Sequence, residues 1–166
     1  SLPEGLPRDI LRPEVLEATR TLGLSRDDVS VLRYPVRHFP TYRQEILEDL
    51  TKIKRDLDPG VVFCPSMHDI HQDHRIIAEE AIRAFKDRTL LGYEMPWNNL
   101  SIDTTCFAIV SEDDVKRKIA ALNCYVSQTL RRYVNADFIR SLAQVRGTQI
   151  GTDFAEVFEV MRLVLA

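Results

Sequence analysis

Val61-Val62-Phe63-Cys64, closed by Pro65, is followed almost at once by His68-Asp69-Ile70-His71-Gln72-Asp73-His74-Arg75. The first run is short, apolar and set between the Asp58-Pro59-Gly60 break and a proline, which predicts a strand buried on both faces. Beyond it, His74, Ile77, Ala78, Ala81, Ile82 and Phe85 form one stripe at helical spacing, with Arg75, Glu79, Glu80 and Arg83 off it. A helix is therefore expected to about Phe85 or Lys86, and His74 continues its buried face at the end nearest the strand. In sheets built from alternating strands and helices, ligands bind beyond the carboxyl ends of strands. The His/Asp cluster lies at such a place.

Outward from this centre the pattern repeats. Pro13 suits the first position of a helix through Arg20 that closes at Gly23. Val29 to Tyr34, stopped by Pro35, reads as a strand. Thr41, with Gln44 three residues on, is expected to cap a helix carrying Ile46, Leu47, Leu50 and Ile53. On the other side, Leu90 to Glu94 and Thr104 to Val110 read as strands, with Trp97 to Leu100 a loop between them. Ser111 with Asp114 opens a helix to about Tyr125, a second helix runs from Ala136 to Val145 before Gly147, and Phe158 to Val164 forms a last strand. Alternating strands and helices predict an α/β domain, Rossmann-like, with a largely parallel sheet flanked by helices. With 166 residues the expectation is a single domain, 1–166.

Composition narrows the function. A net charge of −3 gives no electrostatic reason to expect nucleic acid as partner, and no stretch approaches the roughly 20 apolar residues of a membrane span. Cys64, Cys106 and Cys124 are odd in number and outside any CxxC pattern, so they read as reduced core residues of a cytoplasmic protein. Ser1 to Arg8 is punctuated by Pro and Gly and has no apolar core of the signal-peptide kind.

Three of the four histidines fall within residues 68–74, beside two aspartates. Imidazole and carboxylate together bind zinc or a similar divalent ion, and they also supply acids and bases near neutral pH. A solvated helix start with chance histidines is the plain alternative, and a lone histidine would favour it. Two helical residues two apart differ by about 200° around the axis. If Asp73 is to orient His71, residues 70–72 must therefore be loop, with the helix starting near Asp73. The rival arrangement makes Asp69 the N-cap with Gln72 as its partner. Elsewhere, Tyr93, Trp97 and Asn98-Asn99 suit either a sugar-facing wall or simple packing, and Arg131-Arg132-Tyr133 either an anion contact or a solvated helix end.

Asp69-x-His71-x-Asp73-His74-Arg75 after a strand resembles the second motif of the PIG-L (LmbE-like) zinc deacetylases. Weaker similarities follow in the family's order: Arg12 and Glu14 with Ala18 and Leu22-Gly23, Lys116, Lys118, Ala121 and Leu122 with Ser127-Gln128, and Arg146-Gly147, Gly151, Ala155-Glu156 and Phe158. The resemblance implies a Rossmann-like hydrolase that removes N-acetyl groups, commonly from N-acetylglucosamine-containing substrates, and that forms oligomers. It implies His74 as a zinc ligand, His71 as the group that stabilises the oxyanion or protonates the leaving amine, and Asp73 as the carboxylate holding His71 protonated. Arg12 and Asp69 are the implied substrate contacts.

The family's first motif, His-Pro-Asp-Asp-Glu, supplies two more ligands and the general base, and nothing in residues 1–11 matches it. A catalytic zinc usually has three protein ligands plus water. The chain as given is therefore expected to lack its first strand and to be inactive. Two other functions compete: a non-catalytic assembly module with a degenerate site, and a His-Asp metal phosphohydrolase built on His68-Asp69. The second resembles all-helical domains, and a strand directly before the doublet argues against it.

Overall fold

The computed structural model describes residues 9–165; the opening loop, Ser1 to Arg8, lies outside them. Contacts divide the chain into two compact units. One takes residues up to Leu32 together with Ala108–Glu156, and the other takes Arg33–Phe107 together with the chain from Val157 onward.

The second unit carries the cluster. Helix α2 (Arg43–Leu57) leads through Asp58, in the left-handed region at φ 44°, into β1 (Val61–Pro65). After the cluster come α3 (Gln72–Ala84) and β2 (Thr89–Tyr93). β1 and β2 pair in parallel from Val61 opposite Thr89 to Pro65 opposite Tyr93. Two further strands, β3 (Cys106–Ile109) and β4 (Ala155–Arg162), complete a sheet of order β1-β2-β4-β3. The α/β class holds, but β4 runs antiparallel to β2, so the sheet is mixed. Cys64, Ala81, Ala84, Phe85 and Leu90 form the unit's core, with Leu47, Leu50, Ile77 and Met161 packed against it.

Several local expectations change. β1 is an edge strand, and its residues alternate: Val61 and Phe63 are 49% and 55% exposed while Cys64 is buried. One face is therefore covered, not two, and Phe63 lies against Phe158 with ring centroids 5.1 Å apart. Val29 to Tyr34 is not a strand. The Tyr34 hydroxyl donates to Asp49 on α2 at 2.6 Å and its ring meets Phe39 and Tyr42, so its neighbours are a helix and a turn instead of a ladder. Thr41 does not cap α2: a 3-10 turn over Phe39–Tyr42 feeds the helix, and Gln44 donates to Glu48 one turn on. Glu80, placed off the buried stripe by periodicity, is fully buried. Arg83 donates to its Oε2 at 2.5 Å, and Arg43 of α2 forms an ion pair with Oε1 without hydrogen-bond geometry. α3 is covered on its α2 side as well, and the two cations are what make a buried carboxylate tolerable there.

The first unit gathers three helices. α1 (Leu11–Thr21) starts two residues before Pro13 and still keeps that proline in the first turn, where its missing N–H has no partner to lose. It closes at Gly23, whose φ of 93° needs no Cβ. α4 (Glu112–Asn123) has the expected capping box, Ser111 and Asp114 bonding each other's backbone. α5 (Ala136–Ile150) runs through Gly147 and ends at Gly151, in the left-handed region at φ 76°. Glu14, 6% exposed, accepts hydrogen bonds from the Ser127 amide (2.8 Å) and hydroxyl (2.6 Å). Two segments that resemble the family only weakly by sequence thus meet in one buried polar contact.

Candidate active site

The strand β1 delivers the chain to the sheet's end, and residues 66–71 turn it into α3. His71 is the N-cap: its φ and ψ are −70° and 122°, and its Nδ1 accepts from the Asp73 amide at 3.2 Å. The helix therefore starts at Gln72, as the later of the two starts requires, and Asp69 is not its cap. Asp69 does something else. It is 2% exposed; its Oδ1 accepts from the His71 amide and its Oδ2 meets His74 Nδ1, both at 2.7 Å. The His71 and His74 rings stack with centroids 4.4 Å apart and planes 28° from parallel.

These contacts set the ring nitrogens. A carboxylate only accepts, so the proton of His74 sits on Nδ1 and its Nε2 presents a lone pair. His71 is the reverse: Nδ1 accepts a backbone N–H, which leaves its ring proton on Nε2. One imidazole offers a ligand atom and its neighbour a donor. This differs from the expected coupling of His71 to the Asp73 carboxylate. Asp73, 4% exposed, turns away and accepts from the amides of Arg37 (2.5 Å) and Phe39 (3.3 Å). The physical reason is the two-residue spacing: once His71 caps the helix, it is the Asp73 amide that faces the ring. Gln72 also donates to the Arg37 carbonyl, so a residue held at φ 72° is gripped on both sides by the start of α3.

Two other segments complete the surroundings. The loop after β2 is laid against the cluster by an isolated bridge between Asp69 and Asn99, by Ile70 donating to the Asn98 carbonyl (3.1 Å), and by Leu100 donating to that of His68 (3.2 Å). This brings Asn98-Asn99 beside the site. Glu159 of β4, which no motif singles out, also meets the turn. Its Oε2 accepts from Ser66 Oγ (2.6 Å) and the Met67 amide (3.1 Å), and its Oε1 is 3.8 Å from His68 Nε2. Cys64 is inert: burial first, then the Glu159 charge, pushes its thiol up to about 12. Arg12 is exposed on α1, in the first unit.

The donor chemistry suits a divalent ion at one position, the Nε2 of His74, backed by the Asp69 carboxylate. It does not make a cage. Among the described residues no group of three His, Cys, Asp or Glu side chains is placed to hold a metal.

Residues 7–85 match the sequence profile of the family described as GlcNAc-PI de-N-acetylase, PIG-L. The matched stretch is similar to that family and spans just under half of the 166-residue chain. The match takes in α1, α2, β1, the whole cluster and α3. A search of curated proteins finds no match. Among solved structures, the chain resembles a conserved protein from Thermus thermophilus at 23% identity and TM-score 0.72, covering 97% of this chain and 77% of that one. It resembles the N,N'-diacetylchitobiose deacetylase of Pyrococcus horikoshii at 24% identity and TM-score 0.73, covering 92% and 63%. It also resembles the 4-carboxy-2-hydroxymuconate hydratase of Pseudomonas putida at 17% identity and TM-score 0.70, covering 99% and 78%. At such identities the likeness is one of fold, and a fold that serves both a deacetylase and a hydratase leaves the reaction to the site. Among the described residues no helix is long and apolar enough to cross a membrane.

Proposed function

We propose that this chain carries the His74 half of a metal-dependent deacetylase site, acting on an N-acetylated amino sugar or a related small substrate. The observation that carries the proposal is the Asp69–His74–His71 arrangement inside the PIG-L segment. His74 presents a bare Nε2 to a zinc ion, which when bound would polarise the amide carbonyl and its attacking water. Asp69 fixes the His74 ring through Nδ1, a support in place of the substrate contact that the resemblance implies. His71, with its proton on Nε2, is placed to donate to a developing oxyanion or to the leaving amine. Asp73 acts on this pair through the backbone, by fixing the start of α3. Arg12 is assigned to substrate by the resemblance alone. Self-association and a cytoplasmic location belong to the same proposal.

One ligand position is not enough for hydrolysis, so we expect the 166-residue chain by itself to be inactive. The test is acetate release from N,N'-diacetylchitobiose and other N-acetylated amino sugars, with zinc supplied. It is run on this chain and on the complete product of its gene. Release by the complete product that His71→Ala suppresses supports the proposal. A complete product that releases acetate from none of them, and adds no metal ligand, favours the non-catalytic assembly module. The all-helical phosphohydrolase alternative does not fit a cluster mounted on β1.

A further inference from the structure

We propose that Glu159 is a positioning residue for the histidine cluster, holding from the last strand the loop on which Asp69, His71 and His74 stand. The contacts form a chain. Glu159 is only 9% exposed and Ser66 is fully buried, so the bond between them, at 2.6 Å, is shielded from water. The same carboxylate oxygen takes the Met67 amide, and Ser66 Oγ in turn accepts from the His68 amide at 3.1 Å. The Ser66 carbonyl accepts from the Asp69 amide at 3.2 Å. Consecutive backbone amides from Met67 to Asp69 are thus fixed directly or through one serine, and Asp69 passes that constraint to the His71 backbone amide and to the His74 ring, both at 2.7 Å.

The site is also built to admit this carboxylate. A Cβ at Gly92, on the neighbouring strand β2, would lie 3.1 Å from Glu159 Oε2 and 2.9 Å from Ser66 Cα. Only a residue without a side chain lets the two approach across the sheet. A buried carboxylate costs several kcal/mol unless its hydrogen bonds are made, so an acid here is a poor choice for packing alone. It is a good choice for fixing donors, because hydrogen bonds to an ionised acceptor are roughly twice as strong as neutral ones. Oε1 lies 3.8 Å from His68 Nε2, and the His68 amide is held by Ser66 Oγ. His68 is therefore part of the framework. The inference rests on the deacetylase proposal for its purpose and on geometry alone for its existence.

The experiment is ¹⁵N NMR of the histidine rings in the chain as it stands, at mildly alkaline pH where imidazole is neutral. In the unsubstituted chain, His74 is expected as the Nδ1–H tautomer and His71 as the Nε2–H tautomer, each with well-separated nitrogen shifts. Glu159→Ala and Ser66→Ala are each expected to collapse that separation toward the tautomer average. Leu50→Ala, which weakens the same unit's core away from the loop, is expected to leave it intact. Distinct tautomers that survive both Glu159→Ala and Ser66→Ala overturn the proposal, as does an equal collapse in Leu50→Ala. If the unsubstituted chain shows His74 as Nε2–H, the metal-ligand assignment fails, while the Glu159 effect is still read from His71.

Discussion

Asp69 Oδ2 and His74 Nδ1 stand 2.7 Å apart at the start of α3, with the carboxylate 2% exposed. A buried carboxylate on one ring nitrogen aims the other, and this is the usual second partner of a metal-bound histidine. His74→Ala should abolish zinc binding at the cluster, and Asp69→Ala should weaken it by roughly 10–100-fold while leaving it measurable. Isothermal titration with zinc, on the chain or its complete gene product, reads both. Equal affinity in the Asp69 variant would remove the carboxylate from the metal's support.

His71→Ala should leave zinc affinity unchanged in the complete product and slow acetate release by roughly 10²–10³, the typical loss for one oxyanion donor. Turnover unimpaired by the substitution would exclude His71 from the reaction.

Asp73 is expected to behave as a structural residue. Its carboxylate serves the amides of Arg37 and Phe39, and Asp73→Ala leaves both without that acceptor. Each such loss costs about 1–3 kcal/mol, so thermal unfolding should shift clearly downward. An unchanged midpoint together with an altered His71 ring spectrum would instead return Asp73 to the role that the family resemblance implies.

Gly147 tests two opposed effects. Inside a helix, Gly→Ala gains about 1 kcal/mol from propensity. Here, however, the added Cβ would lie 2.6 Å from the Thr152 carbonyl oxygen and 2.7 Å from the Asp153 and Phe154 backbone. Those contacts are backbone on both sides and yield only by moving the chain, which costs about 1–3 kcal/mol. Gly147→Ala should therefore destabilise, as read by denaturant midpoint, and a gain in stability would show that the α5–β4 turn adapts.

Cys64 should resist alkylation in the native protein at mildly alkaline pH, while Cys106 and Cys124, both partly exposed, react. Its thiol is raised from 9.0 to about 12, burial being the main cause, so the fold prefers the neutral form. The associated stability is whole below pH 9.0 and is lost as pH rises toward about 12. Mass spectrometry after brief iodoacetamide treatment separates the three sites. Labelling of native Cys64 at the rate of the others would contradict its burial.

What sequence makes legible here is local. The break at Asp58-Pro59-Gly60, the strand after it, the Ser111–Asp114 box and the helix after the cluster each depend on residues a few places apart, and each appears in the fold, although of the expected stripe only Ala78, Ala81 and Phe85 are buried. The misses are contacts between distant residues. Arg83 stands one turn from Glu80, but nothing near Glu80 announces Arg43, the second cation that lets it be buried, and nothing near Val29 shows that Tyr34 faces a helix. Gly147 reads as a stop because a glycine's close backbone neighbour cannot be seen in one dimension. At the site, the residue types were plain and their pairing was not. The family resemblance implied Asp73 for His71, and the cap geometry gave Asp69 the His71 amide and the His74 ring instead.

The bond between Ser66 and Glu159 joins positions 93 apart in the chain. A ribosome makes the histidine segment long before it makes β4 and the acid that fixes the cluster's loop. Until that strand docks beside β2, the cluster's loop has no anchor. The nascent chain therefore carries its reactive side chains unassembled, and the site comes into register only after Glu159 has been made.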